Sequence, residues 1–281
     1  QKYIHHKPDE VLQRGSGWGA LERLRRESDN ENQMCGPGLI FDDKSLEEEQ
    51  GPWVQLLQVG TMPIPDITHP PGGFLVADNW YHKLQQANKN NKIDNWFALL
   101  HLGLMNYYRN NFTEAKTSWE RSLELDLNPW ALRNLAMLSW KDNQVSEAAN
   151  LLLEARSMTP TLLPLTIELG RCLIESGDNR SWLDLVKNMP ENFRLNGRIR
   201  LLEAQAALND KELQIVKQFF DDLVPVADLR EGENSYTDLW VAYHVQRISN
   251  EENLPINDFL YLRVRDQFPV PKVFDFRMSQ M

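Results

Sequence analysis

The sequence predicts an all-α chain: a right-handed α-solenoid of helix–turn–helix repeats behind an irregular, partly extended N-terminal segment. Three observations predict it. Small residues at Gly103, Ala136, Gly170 and Ala204 stand 33, 34 and 34 positions apart. The bulky residues Trp119, Leu152, Val186 and Phe220 keep the same steps, and so do Ser122, Ala155, Met189 and Leu223. Polar helix-stoppers fall between them, at Asn110-Asn111, Asp142-Asn143, Asp178-Asn179 and Asn209-Asp210.

A period of 34 residues with this order of small and bulky positions resembles the tetratricopeptide repeat. The physical reason lies in the packing. A Gly or Ala stands where two antiparallel helices come closest, and a bulky side chain fills the wedge between successive pairs. The helices expected are roughly 94–109, 112–127, 129–140, 145–158, 165–176, 181–188, 197–208 and 211–223. Asn111 with Glu114 is expected to cap the second of them. Agreement with the repeat decays along the chain. The third repeat keeps Gly170 and Gly177 but has Trp182 where Ala is expected. The fourth is identified by spacing. The domains read in this way are 1–92, an irregular segment; 93–224, the array of three to four repeats; and 225–281, capping helices and a tail.

Residues 1–92 do not follow the period. Arg14 to Gly19 reads as a flexible loop, Ala20–Ser28 as a short helix, and Gly36 to Gly38 as a turn. Leu46 to Val59 has Trp53, Leu56 and Leu57 at helical spacing. Pro63, Pro65, Pro70 and Pro71, with Gly72 and Gly73, then forbid regular structure. Trp80 and Leu84 restart a helix. At the far end, Tyr236–Ile248 and Asp258–Arg265 are expected to cover the last apolar face of the array.

Composition narrows the function. A formal charge of −10 argues against nucleic acid or an anionic membrane as partner. No run of eighteen apolar residues is present, so no span of a bilayer is expected. The first residue is Gln1 and not Met, and Gln1 to Glu10 is polar with no apolar signal core, which suggests the downstream part of a longer protein. Cys35 and Cys172 lie far apart and read as free thiols of a reducing compartment, hence a cytoplasmic location. Gly15, Gly17 and Gly19 lack the strand and the Lys-Ser/Thr of a phosphate loop. His5, His6 and His69 lack ligands at metal spacing, and Glu47 to Glu49 reads as a solvated helix start. No catalytic set, no metal and no cofactor is expected.

Three further stretches carry a wider resemblance: Pro8 to Val11 running into Gly15 to Glu22, Leu46 to Gln50 with Pro52-Trp53, and Asp275 to Met278. With the array between them they resemble the C-terminal region of a bacterial family whose members begin with a mutarotase-like β-sandwich domain of unknown function. The resemblance implies a parent protein linked to carbohydrates. It also implies an alternative role, in which this region supplies wall residues to an active site on the upstream domain.

In tetratricopeptide arrays the first helix of each repeat lines a concave groove. Counting from the small positions, the groove here should include His101, Tyr107, Tyr108, Trp130, Arg133, Asn134, Trp140, Glu168 and Arg171. Arg133, Asn134 and Arg171 could grip a carboxylate; Tyr107, Trp130 and Trp140 could stack on a peptide or a sugar ring, or simply pack between helices. The partner expected is a protein or peptide, or the parent's own upstream domain, which Trp18 would contact. Met137 stands where a chaperone-type clamp would want another Asn.

Overall fold

The structure is a computed structural model that describes residues 13–31, 39–89, 95–223, 226 and 233–275. The expectations for Gln1 to Glu10, His5, His6, Cys35, the turn at 36–38, Asp94 and the terminal stretch 276–278 lie outside the described residues. Among those described, fourteen helices dominate, and the sole strand pairing is a two-residue parallel bridge, Gln13–Arg14 with Leu39–Ile40. The chain is all-α in class. It divides into two compact units, residues 1–138 and 139–281.

The first helix of the first unit is α1 (Gly17–Ser28), so Gly17 to Gly19, the end of the stretch expected to be a loop, form the first turn of a helix. Ser16 explains the early start, since its hydroxyl accepts from the Gly19 amide at 3.4 Å. The glycines allow close packing: a Cβ at Gly19 would run into the Phe41 ring. α1 also holds Arg25, which is 1% exposed and donates to Glu22, Asp29 and Glu31 at 2.7–2.8 Å. Those carboxyls are held below the usual range by the guanidinium, and Asp29 chiefly by Lys83 of α3. Trp80 adds an indole bond to Glu22 at 3.3 Å, so α1 and α3 (Asp78–Lys89) are joined by one ionic network.

Between α1 and α3 the single helix expected from Leu46 onward is split. A 3-10 turn at Glu48–Gln50 precedes α2 (Gly51–Val59), because Pro52 belongs in a first helical turn and disfavours helix before it. α2 stops at Gly60, whose φ of 77° suits glycine. From there to Ala77 the chain forms no helix or strand. This extended strap leads into α3, α4 (Trp96–Tyr108), α5 (Phe112–Leu125) and α6 (Pro129–Lys141).

The second unit carries α7 (Val145–Met158), α8 (Leu163–Glu175), α9 (Asn179–Lys187), a single turn α10 (Glu191–Arg194), α11 (Gly197–Asn209) and α12 (Leu213–Asp221). Sequence periodicity missed α10, which fills the join between the third and fourth pairs. α13 (Ser235–Glu252) and α14 (Asp258–Gln267) follow. Phe219, Phe220, Tyr236, Trp240 and Phe274 form an aromatic cluster around the end of α12, with ring centroids 4.9–5.8 Å apart in the closest pairs.

The period is written in the backbone as well as in the side chains. Asn110, Asn143, Gly177 and Lys211 all have positive φ, between 61° and 81°, and stand 33, 34 and 34 residues apart. After each, one amide reaches back five residues: Asn111 to Asn106, Gln144 to Ser139, Asp178 to Leu173 and Glu212 to Ala207, all at 2.8–2.9 Å. This is a Schellman-type helix end, repeated four times. Asn111 is therefore not a side-chain cap; its amide closes the turn instead. Side-chain caps fall on first helices of the pairs: Asn95 accepts from the Ala98 amide at 2.7 Å, Asn128 from Ala131 at 2.8 Å and Asn196 from Ile199 at 3.3 Å. They too follow the period, save that Leu162 occupies the third position.

Candidate interaction site

α4 reads Trp-Phe-Ala-Leu-Leu-His-Leu from Trp96 to Leu102, and every one of these residues is buried. A helix apolar on all sides is a helix covered on all sides. α5 takes one flank: Trp119 lies where a side chain on Gly103 would be, and its indole donates to the Leu100 carbonyl at 3.2 Å. The other flank, where a partner was expected, is taken by this chain's own α2, strap and α3.

The groove residues expected on α4 therefore need correction. His101 is 1% exposed, with its ring 5.0 Å from Trp53 and 4.5 Å from Phe97. Neither ring nitrogen has a hydrogen-bond partner, and burial pushes the imidazole down to about 4, so it is neutral. It cannot contact a partner. Tyr107 turns toward α5, with its ring 5.3 Å from Phe112 and 6.0 Å from Trp119. Tyr108 alone of this set is open, 66% exposed.

Trp130 is buried too, and its indole donates to the Ile67 carbonyl of the strap at 2.8 Å. Asn95, which the sequence reading missed, donates its amide to the Met62 carbonyl at 3.2 Å while capping α4. Trp53 donates to the Gly73 carbonyl at 3.3 Å, and Arg109 to the Val76 carbonyl at 2.8 Å. The strap is thus gripped at four backbone carbonyls. Such bonds read the extended backbone and not the side chains it carries. Trp18 closes the far end: its indole lies against Gly73, so the face expected to meet another domain already packs within the chain. Asn134 is buried and Arg133 half-buried.

In the second unit Trp140 is half-buried and donates to Glu175 at 2.9 Å, while Arg171 on α8 is exposed and Glu168 half-exposed. Cys172 is buried, donates to the Val145 carbonyl, and is pushed up to about 11 by desolvation. It is an inert thiol at neutral pH. His244 stacks on Phe268 with centroids 4.5 Å apart and is held neutral by burial.

Two cavities stand out. One of about 680 Å³ opens between α13, α14 and the chain that follows, lined by Thr237, Asp238, Tyr261, Arg265 and Phe268 among others. The other, about 270 Å³, lies between the strap, the start of α2 and Phe97 of α4. Among the described residues no group of three or more His, Cys, Asp or Glu is placed to hold a metal ion, and no helix is long and apolar enough to cross a membrane. No protein-family model and no curated protein matches the chain.

Proposed function

We propose that the chain is a non-catalytic scaffold of the tetratricopeptide type, a right-handed α-solenoid that holds an extended protein segment or an upstream domain of its own parent. The observation that carries the reading is the grip on the strap. Asn95 and Trp130, on the first helices of successive pairs, hold an extended segment by its backbone carbonyls. The chain supplies its own example of the ligand such a surface suits. The four equal turns support the repeat on which that surface is built.

On this reading the first two pairs are occupied from within, and a partner engages later helices, where Arg171 is exposed on α8. The test is equilibrium binding of the purified chain to proteins captured from lysate and to the parent's upstream mutarotase-like domain supplied in trans. Saturable binding at micromolar or tighter affinity is expected, weakened about tenfold or more by Arg171→Glu with melting unchanged. Absence of saturable binding to either source, or turnover of a substrate that copurifies with the chain, contradicts the proposal.

A further inference from the structure

The strap, the start of α2 and Phe97 of α4 line a cavity of about 270 Å³. Its walls are Pro52 of α2 and Pro65, Pro70 and Pro71 of the strap, with the buried Phe97 of α4 beside them. Proline rings are stiff and carry no amide donor, so these walls are preformed and apolar. Glu48 and Glu49 stand at the rim, both exposed, and neither makes an ion pair among the described residues. Their neighbour Glu47 has its backbone amide bonded to Gln50, at 2.9 Å, which fixes the turn that presents them. His69 is the remaining polar group of the lining.

We propose that this cavity receives an arginine or lysine side chain from the protein partner of the scaffold. The assignment rests on the scaffold reading and names the chemistry of what it holds. The fit has two parts. An aliphatic stem lies against proline and phenylalanine without losing hydrogen bonds, as long basic side chains do on apolar surfaces. The charged head then meets two carboxylates that have no cation partner among the described residues, and charge-assisted bonds form. The chain's net charge of −10 favours the approach of such a partner over distances up to a Debye length. A neutral or acidic side chain gains neither part.

The experiment uses the full chain and a dye-labelled pentapeptide with one arginine among glycines, followed by fluorescence anisotropy. Its comparison peptide carries citrulline, which keeps the shape and removes the charge. Saturable binding of the arginine peptide is expected, at least tenfold weaker for citrulline and about tenfold weaker for Glu48→Gln/Glu49→Gln. The same charge change in Glu147→Gln/Glu154→Gln, on the exposed side of α7, should leave the affinity within twofold. Equal affinity for both peptides, or equal loss in both double variants, overturns the assignment. So does free arginine amide binding as tightly as the peptide, since the occupant would then be a small amine and not a protein. If the pocket variants bind the scaffold's captured partner as wild type does while Arg171→Glu does not, the scaffold stands and this assignment falls.

Discussion

His101 buries two ring nitrogens without a partner, which is a cost the fold carries in exchange for a side chain of the right shape between Trp53 and Phe97. Its folded value near 4 lies below the ordinary 6.5. Between those limits the unfolded chain binds a proton that the native chain refuses, so stability falls as pH falls. At about 1.4 kcal/mol per unit, His101 should remove about 2 kcal/mol between pH 7.5 and pH 5. Urea unfolding of wild type and His101→Leu at both pH values checks this: the variant should lose markedly less on acidification. His244 has the same sign and keeps part of the slope in the variant. Equal slopes in both proteins would mean that His101 is reached by water. A second residue-scale outcome concerns the glycines opposite indoles. A Cβ at Gly103 would meet Trp119, and one at Gly170 would sit 2.7 Å from Trp182. Gly103→Leu and Gly170→Leu should each destabilise by about 1–3 kcal/mol or more, lowering the melting temperature by several degrees. The second pairing also explains Trp182. A large ring stands at a position expected to be small because the facing helix offers Gly170 to receive it.

At the scale of the element, the four turns after α4, α6, α8 and α11 share one conformation but not one residue. Asn110 and Asn143 tolerate the left-handed region and Gly177 adopts it freely, whereas Lys211 at φ 62° is strained. Lys211→Gly should therefore stabilise by about 0.5–1 kcal/mol, and Gly177→Ala should destabilise by a similar amount. Chemical denaturation of both variants decides it; opposite signs to these would mean that the turns are not equivalent. The period, and through it most helix bounds, was legible because it depends on local, recurring features: small residues, stoppers and apolar spacing. In the third and fourth turns the left-handed residues, Gly177 and Lys211, stand beside the polar pairs Asp178-Asn179 and Asn209-Asp210 and not within them. The caps Asn95, Asn128 and Asn196 follow the same period and could have been found by it. α10 could not, since a four-residue turn has no periodicity to detect.

At the scale of the whole molecule, what sequence could not disclose is which face of a helix is already occupied. Spacing places His101 and Trp130 on the first helices of their pairs, and it says nothing of a segment thirty to sixty positions earlier that lies over them. The one available signal was α4 itself, too apolar on every side for a helix with an open face. Trp130→Phe keeps an aromatic ring but removes the indole N–H bonded to the Ile67 carbonyl and part of the buried volume, so a loss of about 1 kcal/mol or more is expected in urea unfolding. The most direct test of a strap seated over the first helices is hydrogen exchange of the Trp130 indole N–H, assigned by its disappearance in Trp130→Phe. With the strap seated, that proton is bonded and buried, and its exchange should be slowed by orders of magnitude relative to a free indole. An indole that exchanges at the free rate would contradict this, showing that the strap does not cover Trp130.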